Sequence, residues 1–215
     1  FKFVNAVLPG QAIEVLIKDS QLKGGDQPVL GNRVSLKADG KLAVAGFKRE
    51  SGTPLSPATI DLTSLGDLNK VTDRTFLESN RGEQDIFLKR KFLNVSNAKN
   101  FLSGSLVEQS DYIDELDERV SFPETFPCAL LSCALLERAW QQGHDFERDP
   151  MVYRSHSLSV DRESLRQARS NDVLHLLSRH AEPSAKNHVY DCFGLIGADR
   201  PLFSARIDLM PLAAT

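Results

Sequence analysis

Apolar and polar residues alternate along the first fifty residues in a way that predicts antiparallel β-strands. Residues 12–17 alternate so that one face of the strand is fully apolar. A second strand is predicted over residues 29–38, and the Asp39-Gly40 pair predicts a tight hairpin turn into a strand over residues 42–48. With a further strand over residues 1–7, the pattern predicts a meander that contains no helix.

The one long helix that the pattern predicts covers residues 127–142. Pro127 suits the first helical turn, and Gly143 suits the position that ends a helix. Apolar residues occupy nearly every position up to Leu136, so the helix is expected to be buried on all sides. Further strands are predicted over residues 85–92, 98–108, 151–160, 172–178, 187–196 and 201–209.

A similar pattern of turns and strands occurs twice in the chain. Residues 9–18 match residues 170–179, where a polar turn feeds an alternating strand. Residues 39–47 match residues 199–207, where a second turn feeds a second strand. Internal repeats of this kind indicate two related sheet units.

The chain between the two units changes in composition. Residues 51–72 are rich in Pro, Gly, Ser and Thr and predict a linker or surface excursion. The expected organisation is therefore the C-terminal half of a first unit over residues 1–50, a linker over 51–84, and a second unit over 85–215. Two generic antiparallel domains whose similarity is accidental remain the alternative.

One buried helix followed by an antiparallel meander resembles the hot-dog fold, an α+β fold in which a sheet wraps around a single helix. Residues 1–11, Phe-Lys-Phe-Val-Asn-Ala-Val-Leu-Pro-Gly-Gln, look like the strand after the central helix in β-hydroxyacyl-thioester dehydratases and related thioesterases. Residues 39–45 are similar to the closing hairpin of that family. The resemblance implies a double hot-dog, with the helix of the first unit upstream of residue 1.

The resemblance also implies a function, namely handling an acyl thioester carried on coenzyme A or an acyl carrier protein. The leading expectation is a partly degenerate dehydratase region, a lyase of fatty acid or polyketide biosynthesis. Dehydratases of this type use a His before the central helix and an acid from the facing helix, but residues 120–128 contain no His, and Cys133 occupies the acid position. Catalysis is therefore expected mainly from the upstream half. An acyl thioesterase and a non-catalytic scaffolding domain of a larger synthase are the alternatives.

Few side chains of the chain are candidates for a site. The catalytic candidates are His156, Glu124 and Cys128, although Glu124 also suits helix capping and Cys128 also suits the core. Thioesterases of the double hot-dog type carry a catalytic Asp just before the position of His156, and this sequence has Arg154 and Ser155 there. By the same resemblance, the substrate-binding candidates lie at the start of the helix and are Thr125, Phe126, Cys128 and Ala129.

Composition restricts the partners. The formal net charge of −3 gives no basic patch for nucleic acid, and no apolar run approaches the length of a membrane span. The three cysteines have no metal-ligand spacing and suit a reducing compartment, so a cytoplasmic location is expected. No resident cofactor or metal is expected, and dimerisation is possible. The chain opens without a Met, which we interpret as a cut into a longer protein.

Overall fold

The computed structural model describes residues 1–53, 60–61, 63, 65–78, 84–105, 107–114, 116, 119–181 and 188–212. The strands are β1 (Lys2–Phe3), β2 (Ile13–Ile17), β3 (Gln21–Lys23), β4 (Val29–Ala38), β5 (Lys41–Ser51), β6 (Thr75–Glu78), β7 (Gln84–Leu93), β8 (Ile113–Asp114), β9 (Arg119–Val120), β10 (Met151–Val160), β11 (Asp172–His180), β12 (His188–Ile196) and β13 (Arg200–Pro211). The helices are α1 (Val95–Gly104), α2 (Phe126–Gln141) and α3 (Arg162–Arg166), and a single 3₁₀ turn covers Gln109–Asp111.

Eleven strands form one antiparallel sheet in the order β2-β4-β5-β1-β10-β13-β12-β11-β7-β6, with β3 beside β4. The short strand β1 joins two halves, because it pairs with β5 on one side and with β10 on the other. The first half therefore consists of β1 to β5, and the second half consists of β10 to β13 with β7 and β6. The α+β class and the antiparallel sheet predicted from the sequence are confirmed.

The strand registers explain the sequence repeat. In the first half Leu36 lies opposite Val44, and a bulge follows at Ala43. In the second half Gly194 lies opposite Phe203, and the same kind of bulge follows at Leu202. The two halves thus contain equivalent hairpins, β4–β5 and β12–β13.

One detail of the repeat is corrected by these registers. The sequence match of residues 39–47 with 199–207 makes Val44 equivalent to Ser204. When the two hairpins are instead aligned on their bulges, Val44 is equivalent to Phe203. The shift arises because the second hairpin has a three-residue turn, while Asp39-Gly40 forms a two-residue turn. The match of residues 9–18 with 170–179 agrees with the registers, since Val15 lies opposite Leu36 and Leu176 opposite Gly194.

Helix α2 lies against the second half of the sheet and begins one residue before its predicted start. Its inward face is fully buried and includes Leu131 and Ala134. The prediction that the helix is buried on all sides up to Leu136 is wrong, because Cys133 is exposed and Leu136 is 51% exposed on its outer side. The apolar composition of the helix predicted cover on its outer side as well, but no described element covers that side.

Residues 98–108 do not form the predicted strand. Helix α1 occupies most of that range, and its first turn is capped by the Asn94 side chain, which accepts hydrogen bonds from the backbone N–H groups of Ser96 and Asn97. Ala98 and Leu102, four residues apart, point into the core. The apolar residues Val95, Ala98, Phe101 and Leu102 of this segment follow the spacing of a helix rather than that of an alternating strand.

The segment between the two predicted units contributes to the second half of the sheet. Strand β6 pairs with β7, and Leu65 and Leu68 pack against Leu88 and Leu177 on the face of the sheet away from α2. Residues 54–59 and 79–83, which belong to the predicted linker, lie outside the described residues. The division of the chain at residues 50 and 85 stays a prediction. Among the described helices, none is long and apolar enough to cross a membrane.

A buried arginine anchors the C-terminal part of α2 to the sheet. The Arg138 guanidinium donates hydrogen bonds to the backbone carbonyls of Asp85 and Ser178, at 2.9 and 2.6 Å. It also stacks over the rings of Phe76 and Tyr190. The side chain is 2% exposed, and this burial lowers the pKa of the guanidinium. The cation therefore fixes the position of α2 over β7 and β11.

Candidate functional site

The first half of the sheet presents an apolar surface that no described residue covers. We call this surface the open trough. Its side chains are those of Phe1, Phe3, Ile13, Val15, Ile17, Val34, Leu36 and Val44, placed on one face by the strand registers. Val15 is 56% exposed, whereas Leu176, its equivalent in the second half, is fully buried under α2. The opposite face is mixed, because it carries the Lys37–Glu14 ion pair together with the exposed side chains of Leu16 and Phe47.

The open trough meets helix α2 at strand β10. Phe1 lies opposite His156, whose backbone N–H donates to the Phe1 carbonyl at 2.8 Å. The rings of Phe3 and Tyr153 lie 6.4 Å apart. Directly opposite residues of antiparallel strands share a face, so the trough lies on the side of the sheet that α2 covers.

At this border four polar side chains come together, and we call them the α2–β10 cluster. The Cys128 sulfur lies 3.5 Å from Nε2 of His156. The Ser132 hydroxyl lies 2.7 Å from the Tyr153 hydroxyl. The Tyr153 and His156 rings are stacked with an interplanar angle of 12°. The structure thus brings together two sequence-predicted candidates, Cys128 and His156.

Ser132 and Tyr153 were not predicted from the sequence. Cys128 and Ser132 are four residues apart in a helix, and this spacing places them on one face. Tyr153 and His156 are three residues apart in a strand, which normally places them on opposite faces. A bulge between Tyr153 and Ser155 turns both rings towards α2, and a bulge has no reliable sequence signal.

Burial sets the protonation states of the cluster. It raises the pKa of the Cys128 thiol to about 12, so Cys128 is a neutral thiol rather than a thiolate nucleophile at neutral pH. Burial lowers the pKa of His156, so its imidazole is neutral. The thiol hydrogen of Cys128 can then point at a basic Nε2, which leaves His156 in the form of a proton acceptor.

The start of α2 offers few backbone donors to a substrate. The N–H of Phe126 donates to the Pro123 carbonyl at 2.9 Å, and the N–H of Cys128 donates to the Thr125 carbonyl at 3.1 Å. Pro127 has no N–H. The first-turn groups that usually bind an anion or polarise a carbonyl are therefore already paired.

The predicted substrate-binding residues face different directions. The Phe126 ring is buried and stacks on Phe122, so it belongs to the core. Thr125 and Ala129 are exposed, while Cys128 faces the α2–β10 cluster. Their role in binding stays a prediction.

Glu124 belongs to a network of surface charges rather than to the cluster. Its carboxylate lies 2.6 Å from Arg162 and 3.8 Å from Lys48. Glu50 bridges the same two cations, and hydrogen bonds from Arg162 and Lys48 lower the pKa of Glu50 to about 2. The network connects β5 of the first half with α3 and the loop before α2, which indicates a structural role.

Metal ligands are not grouped in the described part of the chain. No three His, Cys, Asp or Glu side chains there are close enough to hold a metal ion.

Comparison with known proteins gives structural matches only. No family model and no curated protein matches this sequence. A Mycobacterium tuberculosis protein described as having a double hot-dog fold matches 98% of this chain and 73% of its own, with 11% identity and a TM-score of 0.56. The tesB protein of Mycobacterium avium subsp. paratuberculosis matches 98% of this chain and 76% of its own, with 13% identity and a TM-score of 0.52.

A larger protein also contains a similar region. The peroxisomal multifunctional enzyme type 2 of Drosophila melanogaster matches 97% of this chain over 35% of its own length, with 13% identity and a TM-score of 0.50. All three identities are far too low to transfer an activity, so these matches establish the architecture alone.

Proposed function

We propose that this chain, which has the double hot-dog fold, binds an acyl thioester and interconverts its β-hydroxyacyl and enoyl forms at the α2–β10 cluster. The observation that carries the proposal is the position of His156 at the border between α2 and the open trough, where its Nε2 lies 3.5 Å from the Cys128 sulfur. The acyl chain runs along the apolar border of Phe3 and Tyr153. The thioester is carried on coenzyme A or on the phosphopantetheine of an acyl carrier protein, and no resident cofactor takes part.

His156 acts as the only acid–base group of the proposed reaction. In dehydration its Nε2 accepts the α-proton, and the electron pair of that C–H bond forms the double bond as the bond to the β-hydroxyl breaks. The imidazolium then donates the same proton to the leaving hydroxyl, which departs as water. A lowered pKa keeps the base form populated at neutral pH and makes the imidazolium a ready acid.

The side chains around His156 are consistent with a mechanism in which His156 is the only acid–base group. Among the described residues, the hydrogen-bond partners of His156 are the Cys128 thiol and the backbone of Phe1. No carboxylate that could serve as a separate acid is among them. Glu124 is engaged by Arg162, so it is not the proton donor in this proposal.

Binding without catalysis is the second candidate. It is favoured by the first-turn N–H groups of α2, which are paired within the chain and so do not polarise a thioester carbonyl. In this case the second half of the sheet completes an acyl-binding surface, and the chemistry belongs to another protein or domain.

The test is an assay of the full chain with an enoyl-CoA and a β-hydroxyacyl-CoA of matched chain length. Interconversion is expected, and His156→Gln is expected to lower its rate by roughly 10²- to 10⁴-fold while acyl-CoA binding is retained. Glu124→Gln serves as the matched control, because it removes a carboxylate near the start of α2 without touching the cluster. Its rate is expected to stay within a few-fold of wild type.

Three outcomes would contradict the proposed reaction. Acyl-CoA binding without interconversion would support the binding role alone. Release of free thiol from acyl-CoA would indicate a thioesterase. An unchanged rate in His156→Gln would remove His156 from the mechanism.

A further inference from the structure

The face of the first half that points away from the open trough is strongly basic, and we call it the basic face. The strand registers place on it every second residue of the strands of this half. Among the described residues of these strands and their ends, it carries one carboxylate, that of Glu14, and the cations of Lys2, Lys18, Lys23, Arg33, Lys37 and Arg49. The formal net charge of −3 describes the whole chain and gave no sign of this local excess of positive charge.

Most cations of the basic face have no partner of opposite charge within the protein. Lys37 pairs with Glu14. For the other cations of this face, no carboxylate of the described residues lies within ion-pair distance. Asp19 and Asp26 lie in the loops on either side of β3 and not on the strands. The positive charge of this face is therefore available to a partner.

The internal repeat shows that the basic face is not built to be covered by an apolar segment. On the equivalent face of the second half, Phe193 and Leu195 are buried beneath the segment that contains Leu65. Ser35 and Lys37 occupy those two positions on the basic face. A helix seated in the open trough would lie on the other side of the sheet, so it would leave the basic face open. This face is therefore suited to contact with water or with an anionic partner.

We propose that the basic face binds the surface of a membrane that contains anionic phospholipids. Apolar side chains accompany its cations, since Leu16 and Phe47 lie on the two strands that flank β4 and are 39% and 62% exposed. The Lys and Arg side chains contact the lipid phosphates, and their long stems let the charged groups stay in the headgroup layer. The apolar side chains enter the boundary between headgroups and acyl chains.

The distribution of the cations favours a membrane surface over a nucleic acid or a single small anion. The cations are spread over all the strands of this half, on the order of 15 Å across the strands and 25 Å along them, so they do not converge on one point. Phe47 is the one aromatic side chain among the described residues of this face, and the Arg33 guanidinium already lies over its ring, 5.3 Å from the centroid. Proteins that bind single-stranded nucleic acid stack successive bases on several aromatic rings. A two-dimensional array of charge instead matches an extended anionic surface.

The test is co-sedimentation of the full chain with vesicles of two parts phosphatidylcholine and one part phosphatidylglycerol. Each Lys or Arg near an anionic surface strengthens binding roughly fivefold, so wild type is expected to bind these vesicles on the order of 10³-fold more tightly than pure phosphatidylcholine vesicles. The double variant Arg33→Glu with Arg49→Glu is expected to weaken this binding at least about 100-fold. Arg148→Glu with Arg169→Glu changes the net charge equally at exposed positions outside the basic face, and this matched control is expected to bind within a few-fold of wild type.

Circular dichroism checks that each variant folds, which is expected because Arg33 and Arg49 are exposed. Should the double variant unfold, Arg33→Gln with Arg49→Gln removes the two charges without adding carboxylates and is expected to weaken binding at least about tenfold. Equal binding of wild type to neutral and anionic vesicles, no binding to either, or an equal loss in the control pair would overturn the inference. Binding of polyglutamate or of a single-stranded DNA oligonucleotide without binding of vesicles would also overturn it, since the partner would then be another polyanion. None of these results depends on the proposed reaction, which is measured by turnover.

Discussion

His175 lies in β11 with its side chain fully buried. It lies on the face where Leu177 packs against Leu65 and Leu68. Nδ1 of His175 bonds to the Gly197 carbonyl, so Nδ1 carries the hydrogen. Among the described residues Nε2 has no hydrogen-bond partner, and burial lowers the pKa of the imidazole. Burial therefore favours the neutral form of His175.

This environment predicts that acid destabilises the protein. The folded-state pKa of His175 lies below the unfolded value of about 6.5, so protons bind the unfolded chain more readily. The stability that His175 contributes is present above about pH 6.5 and is lost as the pH falls through the folded pKa. We expect urea unfolding to give a lower free energy at acidic pH, and His175→Leu to reduce the slope against pH. An unchanged slope in the variant would contradict this assignment.

The candidate site could be predicted residue by residue but not as an assembly. Cys128 and His156 each stood out because few thiols and imidazoles lie near the helix start, yet nothing in the sequence predicts their 3.5 Å contact. Tyr153 was missed because its orientation depends on the bulge in β10. The burial of His175 could not be predicted from the sequence, because the segment containing Leu65 and Leu68 has the composition of a linker.

Each half of the sheet places an aromatic ring on a glycine of a neighbouring strand. The Phe203 ring lies directly against Gly194, which is its cross-strand partner. The Phe1 ring lies against Gly46, where an added Cβ would stand 2.7 Å from the ring. Such pairs let a sheet curve closely around its neighbours while the ring covers the exposed backbone.

The hairpin β12–β13 should therefore tolerate no side chain at position 194. A Cβ there would stand 2.1 Å from the Phe203 ring, which is buried beneath α2, so the ring would have to shift. Gly194→Ala is expected to lower the free energy of unfolding by roughly 1–3 kcal/mol. Gly52→Ala, where an added Cβ meets nothing within 4 Å, is the control and should change it by less than about 0.5 kcal/mol. Equal losses in chemical denaturation would argue against the overlap.

Secondary structure could be predicted where a regular pattern of apolar residues extends over many residues. Helix α2 was placed to within one residue at each end because Pro127 and Gly143 bound a long apolar run. Strand β10 was placed without error over ten residues. Helix α1 was missed because the predicted segment began at residue 98 and so left out the cap at Asn94 and the apolar Val95 of the first turn.

In the part of the chain that the structure describes, the sheet has two equivalent halves, and a helix covers one of them. The repeat predicted this equivalence from the sequence, because the turns and alternating strands of both halves survive in order. The sequence did not predict that a described helix covers the second half of the sheet and not the first. That contrast depends on which face of α2 is used, and the helix is apolar on both its inward and its outward side.

Strands β4 and β12 offer a matched comparison of the two halves, since both are internal strands at equivalent places. The residues of β12 from Tyr190 to Ile196 are buried, whereas most residues of β4 are only half-buried. In dilute solution, amide hydrogens of β4 are therefore expected to exchange faster than those of β12 by at least about tenfold. Equal protection of the two strands would mean that an uncovered trough does not loosen the first half.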